Sequence, residues 1–355
     1  MNIERTKKVL SDIIKPLANN PSAVLYKQCE AENITVSEYL ERLDPSEPGD
    51  KLDAFQRQFL AAGIEVSNPM KAPTVEQLMS SDVGHLTPEF VRRQILKGMS
   101  MLRTQTKGLI AFETRVTGNT IQPMYLANKT TKGGSTRIHT PGAELATADI
   151  LYREKTISVK TYGKALNIDY RVVKNKTTIE FASILWIIGK NLALDQITDI
   201  ELIVRLGDGT VGAATATTSG TSGVSNMDYS DFINVLIDFD TIFEPNVAFM
   251  TDLQCKYFLN LAEIKDPDAF KIFTLKGLLP TAFGFNIVRN PNGSARYISV
   301  IDSEFAIACG VETPLMIEAD KIITRRMDSV AISEALAYWV FAEGARRVLD
   351  LQATT

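Results

Sequence analysis

The chain has 355 residues, of which 45% are hydrophobic and 23% charged, and its formal net charge is −4. A single core stops growing at about 250–300 residues, so this length predicts two domains or one domain with large excursions. The composition excludes a wholly disordered chain, and the mildly acidic balance excludes a protein that grips nucleic acid over its whole surface, because phosphate neutralisation needs a basic face.

At the N-terminus, charges interrupt the sequence MNIERTKKVLSDIIKPL, which therefore lacks the apolar core of a signal peptide. Val9, Leu10, Ile13, Ile14 and Leu17 recur at helical spacing, with Pro16 near the end of the run. Thr35 or Ser37 is placed to cap a second helix through Tyr39, Leu40 and Leu43. The stretch Asp44–Asp50 (DPSEPGD) reads as a turn, and Leu52, Phe55, Phe59 and Leu60 then restart the helical period. Thr74-Val-Glu-Gln77 has the form of a capping box. Thr87 and Pro88 open a further helix with Phe90, Val91, Ile95 and Leu96 as its apolar face.

The texture changes near residue 108. From Gly118 to Gly163 the chain is polar and rich in Thr and Gly, and Thr130-Thr-Lys-Gly-Gly134 reads as the tip of a long hairpin. On the return arm Ile157 and Val159 alternate with Ser158 and Lys160, the period of a half-buried strand. An arm with so few large apolar residues between 127 and 149 cannot bury a core of its own. It either moves freely or lies on a neighbouring molecule. Tyr125, Lys129, Lys132, Arg137, Arg153 and Glu154 are its candidate inter-subunit contacts. The basic residues Lys129, Lys132 and Arg137 leave three partners open: DNA, a membrane surface, or an acidic patch on another subunit.

Lys176-Thr-Thr-Ile-Glu180 opens the strongest helix, with Phe181, Ile184, Leu185, Ile188 and Leu192 on one face and Ile197, Ile200, Ile203 and Val204 extending the run. A helix of that length reaches about 40 Å. Its apolar window Phe181–Ile188 is soon followed by Lys190 and Asp195, so it does not span a bilayer. Gly207-Asp-Gly209 ends it, and the small and polar residues through Asn226 predict an exposed or mobile loop. Asp228 is placed to cap a helix carrying Phe232, Val235, Leu236 and Phe239. A strand follows at Pro245–Met250, and Thr251 caps a helix to Leu259. Phe283–Val288, Ala295–Ile301 and Ser303–Ala308 read as strands, with a turn at Pro291-Asn-Gly293. Leu315–Ile323 and Val330–Val340 read as strands flanking Arg325 and Arg326, and Glu343–Leu351 reads as a short helix.

Residues able to do chemistry are sparse. Cys29, Cys255 and Cys309 are odd in number and far apart, which predicts buried, inert thiols rather than a zinc site or a disulfide framework. His85 and His139 are too far apart in sequence to suggest a metal cluster or triad. Gly207-Asp-Gly-Thr-Val-Gly212 lacks the Lys-Ser/Thr ending of a phosphate loop, and it follows a helix where such a loop follows a strand. Asp195 and Asp199 share a helix face and, with Glu201, are the carboxylates of an alternative reading as a two-domain α/β enzyme. The plain alternative is a solvated helix face. No cofactor and no metal is expected.

Four stretches carry a family resemblance: Val159-Lys-Thr-Tyr-Gly-Lys-Ala-Leu-Asn-Ile168, Ile200-Glu-Leu-Ile-Val-Arg-Leu-Gly-Asp-Gly-Thr210, Asn246–Leu259 and Lys276–Val288. In this order they resemble the return strand of the extended loop, the end of the spine helix, a strand–helix step, and the loop and strand after it in the major capsid proteins of tailed bacteriophages. The resemblance covers roughly residues 110–350. It implies the α+β Hong Kong-ninety-seven fold, with a helical N-terminal region and N-arm at 1–110 and an extended hairpin and return strand at 111–165. A peripheral domain with the spine helix at 166–224, an axial domain at 225–312 and closing peripheral strands at 313–355 follow. It also implies a non-enzymatic subunit of an icosahedral virion shell, assembled in the host cytoplasm into pentamers and hexamers. Scaffolding, portal and decoration proteins are the further partners; encapsidated DNA is touched weakly and without sequence preference, and no membrane is involved. An encapsulin-like compartment shell is the related alternative. Many family members lose an N-terminal segment to a protease; the expectation here is that Met1 is retained. Lys129 and Lys132 fall where some relatives crosslink a lysine to a neighbour's asparagine, and no crosslink is expected.

Overall fold

The computed structural model describes residues 6–8, 21–32, 34–50, 52–64, 73–80, 84–102, 106–128, 148–169, 176–220, 223–239, 242–262, 286–322 and 327–352. The whole of the predicted Val9–Leu17 helix, the hairpin tip, His139, Arg325 and Arg326 lie outside these described residues. The helices are α1 (Pro21–Glu32), α2 (Val36–Leu43), α3 (Ala54–Ala61), α4 (Val75–Ser80), α5 (Thr87–Ser100), α6 (Thr178–Leu206), α7 (Tyr229–Asp238) and α8 (Asp252–Phe258). The first strands are β1 (Glu113–Arg115), β2 (Thr120–Ile121), β3 (Met124–Asn128), β4 (Ala148–Tyr152), β5 (Ile157–Ser158) and β6 (Lys160–Asp169). Then come β7 (Ala216–Thr218), β8 (Val247–Met250), β9 (Asn286–Arg289), β10 (Tyr297–Ile301), β11 (Ile307–Ile322), β12 (Met327–Val340) and β13 (Arg346–Asp350). The fold is α+β. Two compact units divide the chain: Met1–Leu102, Gly163–Leu192 and Leu315–Glu334 in one, and Arg103–Tyr162, Ala193–Pro314 and Ala335–Thr355 in the other.

In the first unit the helix starts are set by side-chain caps. Thr35, not Ser37, caps α2 and forms a reciprocal box with Glu38. Ser37 instead accepts from Arg93 and donates to Glu89. Asp53 and Gln56 box the start of α3, and Thr74 and Gln77 do the same for α4. The Asp44–Asp50 turn wraps the buried guanidinium of Arg57. Its Nε donates to Asp44 Oδ2 at 3.1 Å and its Nη1 to the Leu52 carbonyl at 2.9 Å. A buried cation persists only when its donors are matched in this way.

In the same unit α5 meets the first half of α6 at two glycines. A Cβ added to Gly189 would lie 2.2 Å from the Ile95 carbonyl oxygen, and one added to Gly98 would lie 2.4 Å from that of Trp186. The backbones therefore touch directly. Trp186 Nε1 donates to Gln94 at 2.8 Å, and Lys97 Nζ sits 4.5 Å from the Trp186 ring centre. Phe181, Leu185, Ile188 and Leu192 are buried as predicted. Ile184 is not: it is 53% exposed, because at 100° per residue it falls about 70° from the centre of that stripe. Leu96 is also exposed, since it projects almost opposite Phe90, Val91 and Ile95.

The second unit holds a five-stranded sheet of order β7-β13-β10-β8-β9. β10 runs antiparallel to β13 and β8, whereas β7 pairs parallel with β13 and β9 parallel with β8. Every residue of β8 is buried, as expected of a central strand. Phe232 and Val235 of α7 and Phe258 of α8 pack on Met250, Ile298, Val300 and Leu349, with the Phe232 and Phe258 rings 4.9 Å apart. Asp228 and Thr251 cap α7 and α8 with reciprocal boxes.

Three sequence expectations are corrected here. Glu343–Leu351 is not a helix: a 3-10 turn at Glu343–Ala345 leads into β13, which lies between β7 and β10. Burial of Arg346, Val348, Leu349 and Leu351 outweighs the local pattern. The small-residue loop after Gly209 is not loose throughout, because Ala216–Thr218 form β7 on the β13 edge. Ser303–Phe305 form a turn rather than a strand; the Asp302 carboxylate accepts from the Glu304 and Glu244 amides, and β11 begins only at Ile307. A further sheet has the order β1-β11-β12-β6, with β1 parallel to β11.

The glycine contact makes the first prediction. Gly189→Ala and Gly98→Ala should each destabilise the chain by about 1–3 kcal/mol despite better helix propensity. Gly108→Ala, whose Cβ meets nothing within 4 Å, should leave the melting temperature unchanged. Thermal unfolding of the three variants checks this.

Candidate inter-subunit surface

The predicted arm is a two-stranded ribbon. β2 pairs antiparallel with β5 at its base, and β3 pairs antiparallel with β4 further out, from Met124 opposite Tyr152 to Asn128 opposite Ala148. Among the described residues β3 and β4 pair with no other strand. Side chains alternate between faces, so Met124, Ile150 and Tyr152 share one face. Those three are 55%, 72% and 64% exposed, and Leu151 on the other face is 46% exposed beside half-buried Tyr125. A ribbon of this kind is marginal alone in water, and exposed apolar side chains grouped on one face make it a candidate contact surface. At its base Ile157 is buried and Ser158 exposed, the alternation read from sequence.

The root of the ribbon is polar and closed. Arg153 follows β4 directly; its amide donates to the Pro123 carbonyl at 2.9 Å, and Gln122 Nε2 donates to the Arg153 carbonyl at 2.6 Å. The guanidinium turns inward. Nη1 donates to Thr210 Oγ1 at 2.7 Å and lies 3.4 Å from Asp208 Oδ2, while Nη2 donates to the Val340 carbonyl at 3.0 Å. Asp208 Oδ2 also accepts the Val340 amide at 2.9 Å, and Oδ1 accepts the amides of Thr210 and Val211 at 2.8 and 2.9 Å. The two side chains are 8% and 0% exposed. Burial pushes the Asp208 carboxyl up, but the hydrogen bonds from Thr210, Val211 and Val340 outweigh it and hold the group below the usual aspartate range.

Of the candidate contact residues, then, Tyr125 sits on the ribbon and Glu154 is exposed just past it. Arg153 is buried, and its guanidinium is engaged by its own chain. Lys129, Lys132 and Arg137 lie outside the described residues. Asp208 was missed as a partner; its only signal was its place in Gly207-Asp-Gly209.

The helix carboxylates do not form one group. Asp195 is exposed, and Asp199 is engaged by Lys160 Nζ at 3.2 Å and by the Tyr162 hydroxyl. Glu201, two residues further on, projects from another side of α6. It is buried, accepts from Asn290 Nδ2 at 2.7 Å, and is pushed above the usual glutamate range by that burial. Cys29, Cys255 and Cys309 are buried and form no disulfide, and burial pushes the Cys29 and Cys255 thiols up to about 11. No helix of the described residues is long and apolar enough to cross a membrane.

No protein-family model matches the sequence, and no curated protein is significantly similar to it. Among solved structures, the fold is similar to a chain in the crystal structure of a virus-like particle from Pyrococcus furiosus. That match has a TM-score of 0.49 and 13% identity and covers 74% of this chain and 99% of that one. It is also similar to a chain of the capsid of an empty GTA particle, with a TM-score of 0.49, 16% identity, and 71% and 92% of the two chains covered. A chain from the capsid of Cyanophage P-SCSP1u follows, with a TM-score of 0.47, 13% identity, and 69% and 87% covered.

Arg153→Ala should cost about 3–5 kcal/mol, because it leaves the buried Asp208 charge without its cation. The depressed Asp208 group contributes stability above the unfolded aspartate value of about 3.9. That contribution is lost as pH falls through its lower folded value. The stability gap between the native chain and Asp208→Asn, followed by denaturant melts, should therefore be constant near neutrality and close only below about pH 4.

Proposed function

We propose that the chain is a structural subunit of an icosahedral viral capsid, self-assembling into pentamers and hexamers around a phage genome. The observation that carries the reading is the uncovered apolar ribbon on a closed polar root. The chain invests a buried ion pair in holding out an arm whose Met124, Ile150 and Tyr152 have no cover. Folding of the arm is completed by a neighbour, which couples it to assembly. Further exposed apolar side chains support the reading: Ile233 and Ile237, four apart on α7 and so on one face, and separately Ile242 and Leu253. Such patches suit the permanent interfaces of a shell, which often exceed about 2,000 Å², and repeated copies meeting around symmetry axes. The net charge of −4 suits a wall that encloses DNA without gripping it.

Negative-stain electron microscopy of the purified chain, alone and co-expressed with neighbouring genes, tests the proposal. Uniform shells or rings of five and six are expected, and nucleic acid inside recovered particles separates a virion from a compartment that holds protein. Monodisperse monomers under all conditions would sink it. Ile150→Asp should abolish shells while shifting subunit stability by no more than about 0.5 kcal/mol, as befits an exposed position.

A further inference from the structure

We infer that the Arg153–Asp208 pair is a positioning latch: it sets the direction in which the arm leaves its subunit and, through that direction, the geometry of the assembled shell. The inference rests on the shell reading above. Arg153 is the residue at which the ribbon meets the body. Its planar fork reaches Asp208, Thr210 and the Val340 carbonyl, so the end of β4 is referred at once to the turn after α6 and to the end of β12. Asp208 closes the arrangement by accepting the Val340 amide. Beyond this root β3 and β4 pair with each other and with no other strand among the described residues. The root is therefore the fulcrum of a lever. Five paired residues extend about 17 Å, so a turn of about 10° at the root moves the far end by about 3 Å, enough to miss a docking contact.

The chemistry of the fork makes the latch specific to arginine. A lysine ammonium in the same place keeps the charge but meets fewer of the three anchors at once, and it fixes no plane. Thr210 is a second handle. Its hydroxyl donates to Asp208 and accepts from Arg153, and valine removes both bonds with little change of shape.

Arg153→Lys and Thr210→Val in the full chain test the latch by two readouts. Amide hydrogen exchange in residues 120–128 and 148–158 should be about tenfold faster or more than in the native chain, with β8 and β10 unchanged, as loss of a charge-assisted bond at the root requires. Electron microscopy and light scattering should show the single native shell diameter replaced by mixed sizes or open sheets, more so for Arg153→Lys. Should Arg153→Lys not fold, Thr210→Val decides. Native exchange at the root, or shells of native diameter and yield from the folded variants, overturns the latch and leaves the shell reading standing. A native chain that builds no shell overturns the shell reading and the assembly role of the latch with it.

Discussion

A helix of 29 residues ends with carbonyls that its own turns cannot satisfy, and the second unit is organised around the donors that satisfy them at Leu206. Gly207 turns the chain at φ +86°, where a Cβ would lie 2.1 Å from the Val211 carbonyl, and its amide donates back to Ile203. The buried Arg346 of β13 donates to the carbonyls of Ile203, Val204 and Gly212, placing a cation where the helix dipole favours one. Burial pulls its guanidinium below the usual arginine value, so the contact depends on those carbonyls being in place. Asp208, the next residue along, takes in the end of β12 and the root of the arm. Three elements distant in sequence thus share one reference point.

That arrangement separates two tasks that one segment could not perform alone. In the assembly proposed above the ribbon would meet a neighbour through its exposed Met124, Ile150 and Tyr152, side chains that give it no hold on its own body. The hold is supplied by polar groups at the root, where Arg153 Nη1 and Nη2 donate to Asp208, Thr210 and the Val340 carbonyl. An arm fixed in this way loses less freedom on docking than a limp one, so more of the contact energy survives as affinity.

What could be read in the sequence was what is local. Thr35, Thr74, Asp228 and Thr251 each find their amide partner within three residues, and each helix start followed. The ribbon was legible for the same reason, because an arm poor in large apolar residues announces that it has no core. Long-range pairing was not legible. Arg153 in a polar arm resembles a surface charge, and Asp208 stands 55 residues away. The sequence Arg346–Asp350 resembles a helix end until the open slot between β7 and β10 is known. Ile184 stands at the outer edge of the predicted stripe, on the far side from Gly189, whose contact with the Ile95 carbonyl marks the face that α6 turns to α5.

The three cysteines lie apart, each enclosed and none in a disulfide. No disulfide therefore ties any part of this chain to another, and no thiol is offered to oxidant or reductant while the fold is intact. A wall of the kind proposed, built from it, would carry mechanical load through packing, hydrogen bonds and ion pairs rather than through disulfides. Its strength would be indifferent to redox conditions and sensitive to temperature and to whatever competes for apolar surface.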